Sequence, residues 1–387
     1  MTDLESPGPK RQSDLVSYED QSPASEDSSV DRWTLVLGIL GGVLLGTGVT
    51  FAILGFVGVF EEPTPPTIPP APTLTAPPPA GPAPTLGDNV TATQVAASVV
   101  PSTVFIESST FIFGGSGSGV VYGSDGYILT NHHVINGAGE LAVIFSDGAR
   151  FPAEVVGSDP VTDLAILLVE RTDLSPISIG SSDGLTIGEP AIAVGNPLGL
   201  AGGPTVTFGI VSALDRFLQI SPGQTLYGLI QTDAPIAPGS SGGALVDAEA
   251  NLVGITTAIA VSDVGPEGLG FAIPIDLAVG IARDLIESGT VNHALLGVSV
   301  ETAWAEEGVA EYPVGLSVVS LLSESAYEMS GGQVNDVIIE FDGLQITARD
   351  QLLAQLRRHR AGDVVEVRIL RADDEQTLQV ELGSLDG

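Results

Sequence analysis

The chain has 387 residues, 43 % of them hydrophobic and 16 % charged, a length that suits about two domains plus extra segments. Its 48 acidic side chains against 13 basic ones give a formal net charge of −35, which argues against a nucleic-acid partner because phosphate binding needs a basic surface. With 0 cysteines and 4 histidines the sequence excludes disulfide scaffolds, cysteine nucleophiles and thiolate zinc sites, and makes a histidine-rich metal cage a poor fit. The acid excess is general: 20 acids to 4 bases over 89–291, and 17 to 6 over 292–387. Such a surface resembles that of proteins from salt-accumulating organisms and should repel itself in dilute buffer. An acidic secreted protein is the plainer alternative.

Residues 1–32 are polar and acidic, and too poor in large apolar groups to offset chain entropy, so a disordered tail is expected there. Trp33 to Phe60 then runs 28 residues without a charge, enough for a tilted transmembrane helix. A cleaved signal peptide fits less well, because the leader is long and the apolar stretch exceeds a usual h-region. Lys10, Arg11 and Arg32 precede the span and the next basic residue is Arg150, which places the N-terminus inside and the rest outside the cell membrane. Residues 61–88 form a linker, and within it 63–86 hold eleven prolines and no charge, an extended spacer of about 3 Å per residue.

From 89 to 291 short apolar runs are broken by Gly, Asp-Gly and Pro: Tyr127–Leu129, Leu141–Phe145, Leu164–Val169, Ala191–Val194, Ala244–Val246 and Leu252–Ala260. Many short strands with regular turn signals predict a mainly β domain, barrel or sandwich. The helix pattern seen in this stretch is Ile275–Ser288, closed by Gly289. From 292 to 387 the character is α+β: strands at Val314–Leu321, Val337–Phe341 and Val364–Leu370 surround a helix at Arg349–Arg358.

Three clusters can carry chemistry. Thr130-Asn131-His132-His133-Val134 ends a strand, Asp159-Pro160-Val161-Thr162-Asp163 opens an apolar strand, and Gly239-Ser240-Ser241-Gly242-Gly243 precedes another. Serine attack on an acyl group needs a base for its proton, an acid to orient that base, and backbone N–H groups aimed at the oxyanion. Each cluster alone is weak: a lone histidine is more often packing, and an Asp after Asp-Pro more often a turn former. The order His, Asp, Ser on short strands is that of chymotrypsin-type barrels. The same glycines also satisfy the G-x-S-x-G elbow of α/β-hydrolases, but that fold wants a helix after the serine, where Ala244–Val246 reads as a strand.

The segments SGSGVVYGSDGYILTNHHVI, DPVTDLAILLV, VGNPLGL, QTDAPIAPGSSGGALVD and GFAIPID resemble the HtrA/DegP serine proteases over about residues 90–385. The resemblance implies a chymotrypsin-like double β-barrel followed by one PDZ domain. It implies His133 as general base, Asp163 as its orienting carboxylate, Ser241 as nucleophile, and the N–H groups of Gly239 and Ser241 as oxyanion hole. His132 and Ser240 stand where the family usually has Asn, and Ala237 replaces a common Asn. Ile236, Ile259 and Ala260 should line the primary specificity pocket, favouring small or medium aliphatic side chains. Leu295-Leu296-Gly297-Val298 matches the PDZ carboxylate-binding loop, which holds a peptide C-terminus while the peptide adds a strand. Ser325–Asp336 is a degraded version of a family turn, with Asn335 for a glycine, so the groove could instead be a structural prop. The short Glu107–Ser118 segment resembles the membrane-anchored, single-PDZ members, which are usually homotrimers. The expected function is a membrane-anchored serine endopeptidase for unfolded or damaged proteins outside the cytoplasm, with no cofactor and no metal. A catalytically silent, tethered peptide-binding or chaperone module is the alternative.

Overall fold

The computed structural model describes residues 85–86, 90–108, 115–197, 203–221, 223–262, 265–307, 310–372 and 374–385. The acidic leader, the apolar stretch 33–60 and nearly all of the linker lie outside these residues, and so does the expected membrane anchor. Among the described residues no helix is long and apolar enough to cross a membrane.

Six strands form the first barrel: β1 (Thr103–Ser108), β2 (Gly115–Val121), β3 (Tyr127–Thr130), β4 (Leu141–Ile144), β5 (Arg150–Asp159) and β6 (Leu164–Val169). They close antiparallel in the order β1-β2-β3-β6-β5-β4. Closure leaves no open edge, and Val104, Ile106, Ile128, Val143 and Leu167 pack inside. Each such side chain contributes about 1.5–3 kcal/mol of burial, so a charge at Leu167 would break the barrel.

The second barrel comprises β7 (Pro190–Gly195), β8 (Thr205–Ser221), β9 (Gln224–Thr232), β10 (Ala244–Val246), β11 (Leu252–Ser262) and β12 (Gly265–Pro274). It closes in the order β8-β9-β12-β11-β10-β7. Strand β8 is 17 residues long and serves two neighbours in turn, β7 through its first half and β9 through its second. Register shifts between Val211 and Ala213 and again near Arg216 bend it so that one strand can do both.

Helix α3 (Ile275–Ser288) follows the 3.6-residue pattern read from the sequence. Ile275, Ala278, Ile281, Ala282 and Leu285 form its buried face, packed on β5 and β6 of one barrel and β11 of the other. Two helices of the barrel part were not expected. Helix α1 (Ala92–Val99) is opened by Thr91, whose hydroxyl accepts from Gln94 N–H while the Gln94 side chain accepts from Thr91 N–H. This is a capping box legible in Thr-x-x-Gln. The second, α2, is the single turn His132–Ile135, where a strand end was expected.

The C-terminal part holds a six-stranded sheet, five of whose strands run in the order β13 (Val298–Glu307), β14 (Ala310–Leu321), β15 (Val337–Phe341), β16 (Val364–Arg371) and β17 (Asp374–Glu381). A short strand, Leu344–Gln345, pairs with β15. The single turn α4 (Ala326–Met329) and helix α5 (Arg349–Arg358) complete it around a core of Leu296, Leu316, Tyr327, Ile338, Phe341 and Val367. Asn335 adopts φ +74°, the left-handed conformation expected where the family has glycine.

The two parts meet through charged groups. Helix α5 packs against β9, with Ala354 against Gly228. The Arg358 guanidinium donates to Asp183, and that of Arg360, just past the helix, to Asp284 on α3. His293, buried, donates from Nε2 to the buried Asp159 carboxylate at 2.9 Å.

Candidate active site

His133 and Asp163 are joined through backbone and side chain alike. Strand β3 ends at Thr130, and the turn of α2 lifts His133 to the surface, its side chain 43 % exposed. The free N–H groups that open α2 are satisfied from 30 residues away: His132 N–H donates to the Asp163 carbonyl at 3.1 Å, and His133 N–H to Asp163 Oδ1 at 3.0 Å. Asp163 therefore caps this helix from a distance, which is why the local sequence reads as strand. Its other oxygen, Oδ2, lies 2.8 Å from His133 Nδ1. The Asp163 side chain is fully buried and its backbone sits at φ +60°, a conformation Asp tolerates better than most residues. Asn131 Nδ2 donates to its carbonyl at 2.9 Å. With Nδ1 engaged by a carboxylate, the imidazole keeps Nε2 for a proton.

Ser241 stands in the turn before β10. Gly242 takes φ +84°, and a Cβ there would lie 2.1 Å from the Ser118 carbonyl oxygen, so only glycine fits. Ser118 N–H donates to the Ser241 carbonyl at 2.7 Å, tying this turn to the first barrel. The Ser241 hydroxyl donates to the Thr257 carbonyl at 2.9 Å. Thr257 Oγ1 donates in turn to Asp163 Oδ2 at 2.7 Å. His133 and Asp163 are thus in direct contact, and Ser241 joins them through Thr257; in this conformation the Ser241 hydroxyl donates to the Thr257 carbonyl and not to His133. Sequence reasoning missed Thr257, a strand threonine with no local signature.

Ala237–Ser240 is a tight turn, Ser240 N–H donating to the Ala237 carbonyl at 2.9 Å with Gly239 at φ +91°. Among the described residues, the N–H groups of Gly239 and Ser241 have no protein acceptor. Next to this turn is a cavity of about 120 Å³ lined by Ile236, Val194, Pro197, Thr205, Thr207 and Thr256, among others, none of them charged. Ile236 is one of the three pocket residues expected. Ile259 and Ala260 lie on β11, and their side chains are outside the described residues. The nearby Asp233 carboxylate is engaged by Ile210 N–H at 2.7 Å.

A further residue missed by sequence reasoning is Asp159. Its carboxylate accepts from Val161 N–H, Thr162 N–H, Thr162 Oγ1 and His293 Nε2, bracing the loop that presents Asp163. Burial pushes this carboxyl up, but the hydrogen bond and charge of His293 and the bonds from Thr162 and Val161 outweigh it and hold it below the ordinary carboxylate value.

In the C-terminal part, Leu295 pairs with Gly383, Leu296 is buried, Gly297 takes φ +78°, and Val298 opens β13 opposite Leu321. Strand β13 is the edge of its sheet, where an added strand would pair.

Two antiparallel barrels meeting at these clusters, followed by this sheet, are the architecture of a trypsin-like serine peptidase with an appended PDZ domain. The family model described as a trypsin-like peptidase domain matches residues 117–255, and that of the PDZ domain residues 294–382. Serine protease PepD of Mycobacterium tuberculosis is 39 % identical over 312 residues, 75 % of this chain and 65 % of that protein. A probable periplasmic serine endoprotease, DegP-like, of Hahella chejuensis is 38 % identical over 70 % of this chain and 57 % of its own length. The chain therefore spans less than two thirds of these relatives. The HtrA-type protease AlgW, solved with a decapeptide, is 34 % identical with a TM-score of 0.61, covering 76 % of this chain and 99 % of that one. The chain belongs to the HtrA/DegP-like family of serine proteases.

Proposed function

We propose that this chain is a serine endopeptidase, anchored to the membrane through residues 33–60, that cleaves unfolded or damaged proteins outside the cytoplasm. Ser241 is the nucleophile. Its hydroxyl turns from Thr257 toward His133, whose Nε2 takes the proton as Oγ bonds to the scissile carbonyl carbon. Asp163 holds the imidazole orientation and balances the charge it gains. The N–H groups of Gly239 and Ser241 receive the oxyanion, and His133 returns its proton to the leaving amine. Water activated by the same imidazole then hydrolyses the acyl-enzyme. The one observation that carries this reading is the contact of His133 Nδ1 and Thr257 Oγ1 with a single buried carboxylate oxygen of Asp163, with Ser241 hydrogen-bonded to that same threonine.

Uncharged walls beside Ile236 support cleavage after small or medium aliphatic residues. Extracytoplasmic action is supported by the periplasmic relatives, and inward orientation of the N-terminus by Lys10, Arg11 and Arg32. An open edge at β13 beside Leu295–Val298, and the peptide complexes of AlgW, support capture of peptide C-termini by the PDZ domain. The shortness of segment 107–118, which resembles that of single-PDZ members, supports a homotrimer as the working form.

A second reading, a silent peptide-binding module, is favoured by the Ser241 hydroxyl resting on Thr257. Casein cleavage decides between them. Wild type should cut, and Ser241→Ala, His133→Ala and Asp163→Ala should each fail while remaining folded. Robust cutting by the Ser241 variant would remove the proposed nucleophile.

A further inference from the structure

Two buried hydroxyls fix the peptide planes around the proposed oxyanion hole. Thr256 Oγ1 donates to the Ser240 carbonyl at 2.7 Å, and Gly243 N–H donates to the same oxygen at 2.9 Å. A trans peptide is planar with its C=O and N–H opposed, so holding Ser240 C=O also sets the direction of Ser241 N–H. That N–H points away from the Thr256 side chain.

Ser118, buried on β2 of the first barrel, acts one peptide earlier. Its Oγ donates to the Gly239 carbonyl at 2.8 Å and accepts from Asn196 N–H at 2.8 Å. The hydroxyl donates once and accepts once, so its direction is fixed from both sides. The plane it holds, Gly239 C=O with Ser240 N–H, is closed at its other end on the Ala237 carbonyl. Gly239 is thereby kept at φ +91°, which orients its own N–H in the middle peptide of the turn, the one free to flip between turn types. The hydroxyls of Ser118 and Thr256 touch neither His133 nor Asp163; their partners are carbonyls of the serine turn and, for Ser118, the Asn196 N–H.

We propose that Ser118 and Thr256 are positioning residues that aim the Gly239 and Ser241 N–H groups, so that the first barrel takes part directly in oxyanion stabilisation. The inference rests on Ser241 being the nucleophile. Thr256→Val keeps the side-chain shape and deletes the hydroxyl, Thr256→Ser keeps the hydroxyl, and Ser118→Ala deletes the second anchor.

The test uses the full-length protein, active sites titrated with a fluorophosphonate, and a peptide with an aliphatic residue before the scissile bond. Loss of one oxyanion donor lowers kcat about 10²–10³-fold; misaiming donors that remain should lower kcat per titrated site by about 10- to 100-fold in Thr256→Val and Ser118→Ala. KM of Ser118→Ala should stay within about twofold, because the donors act on the transition state. The rate of fluorophosphonate labelling should fall with kcat while its final extent stays that of wild type, and Thr256→Ser should recover most of the rate. If the labelled fraction falls but each labelled site turns over as in wild type, the hydroxyls only support folding and the proposal is overturned. If both Thr256→Val and Ser118→Ala keep wild-type kcat per site, it is overturned too. Labelling of Ser241→Ala at the wild-type rate would instead remove the underlying nucleophile assignment, whatever the other variants do.

Discussion

Replacing Asp159 tests how the two halves of the molecule are coupled. Its carboxylate is 4 % exposed and takes four donors: Val161 N–H, Thr162 N–H, the Thr162 hydroxyl and His293 Nε2. His293 opens the C-terminal domain, and Asp159 opens the loop that ends in Asp163. Asp159→Ala leaves all four donors without this acceptor at a buried junction. Leaving one buried hydrogen-bonding group unsatisfied costs about 1–3 kcal/mol, so the loss of this shared acceptor should cost about 3–5 kcal/mol. At about 2–4 °C per kcal/mol for a body of this size, the melting temperature should fall by roughly 10 °C. The share belonging to the domain junction is isolated by adding His293→Ala and completing the double-mutant cycle. A hydrogen bond to a charged group suggests a coupling of about 1.5–3 kcal/mol. Calorimetry and urea unfolding followed by circular dichroism give the numbers, with casein cleavage measured beside them, since a loosened loop should also slow hydrolysis. Destabilisation by Asp159→Ala under about 1 kcal/mol, or a coupling near zero, would refute the reasoning that this bond ties the domains together.

The Asp159 carboxyl is held below its ordinary value of 3.8, burial opposing but the bonds from His293, Thr162 and Val161 prevailing; its contribution is therefore complete above about pH 4 and drains as pH falls through the depressed value. Wild type should lose more stability between pH 5 and pH 3 than Asp159→Asn does, read from urea midpoints; equal losses would contradict this. Gly297→Ala should abolish binding of C-terminal peptides and cost about 1–2 kcal/mol, because φ is +78° and the new Cβ would sit 2.5 Å from Ser325 Cβ; unchanged peptide titration would remove the tight-turn argument. With a net charge of −35, melting temperature should rise between dilute buffer and molar salt, and a higher value in dilute buffer would end the self-repulsion reading.

Local patterning made much of this fold legible. Strand β6, strand β15, and helices α3 and α5 have the boundaries their apolar spacing predicts. What escaped was set by long-range contacts. Helix α2 reads as strand because its cap, Asp163, is 30 residues distant. Thr257 lies 94 residues from the carboxylate it touches, and Asp159 134 residues from His293. Ser118 and Thr256 look like ordinary strand hydroxyls until the serine turn is folded against them. Helix α1 is a different case: its capping signal, Thr91-x-x-Gln94, is wholly local. At the site, the His, Asp and Ser clusters were legible because glycines and turn residues mark them locally, whereas the resting direction of the Ser241 hydroxyl depends on a carbonyl from another strand.

The most direct measurement is intact-protein and peptide mass spectrometry after fluorophosphonate treatment of the folded, full-length chain. One adduct per chain, carried by the peptide containing Ser241 and lost in Ser241→Ala and His133→Ala, is the predicted result. An adduct on a different serine, or none on protein that circular dichroism shows to be folded, would contradict the account.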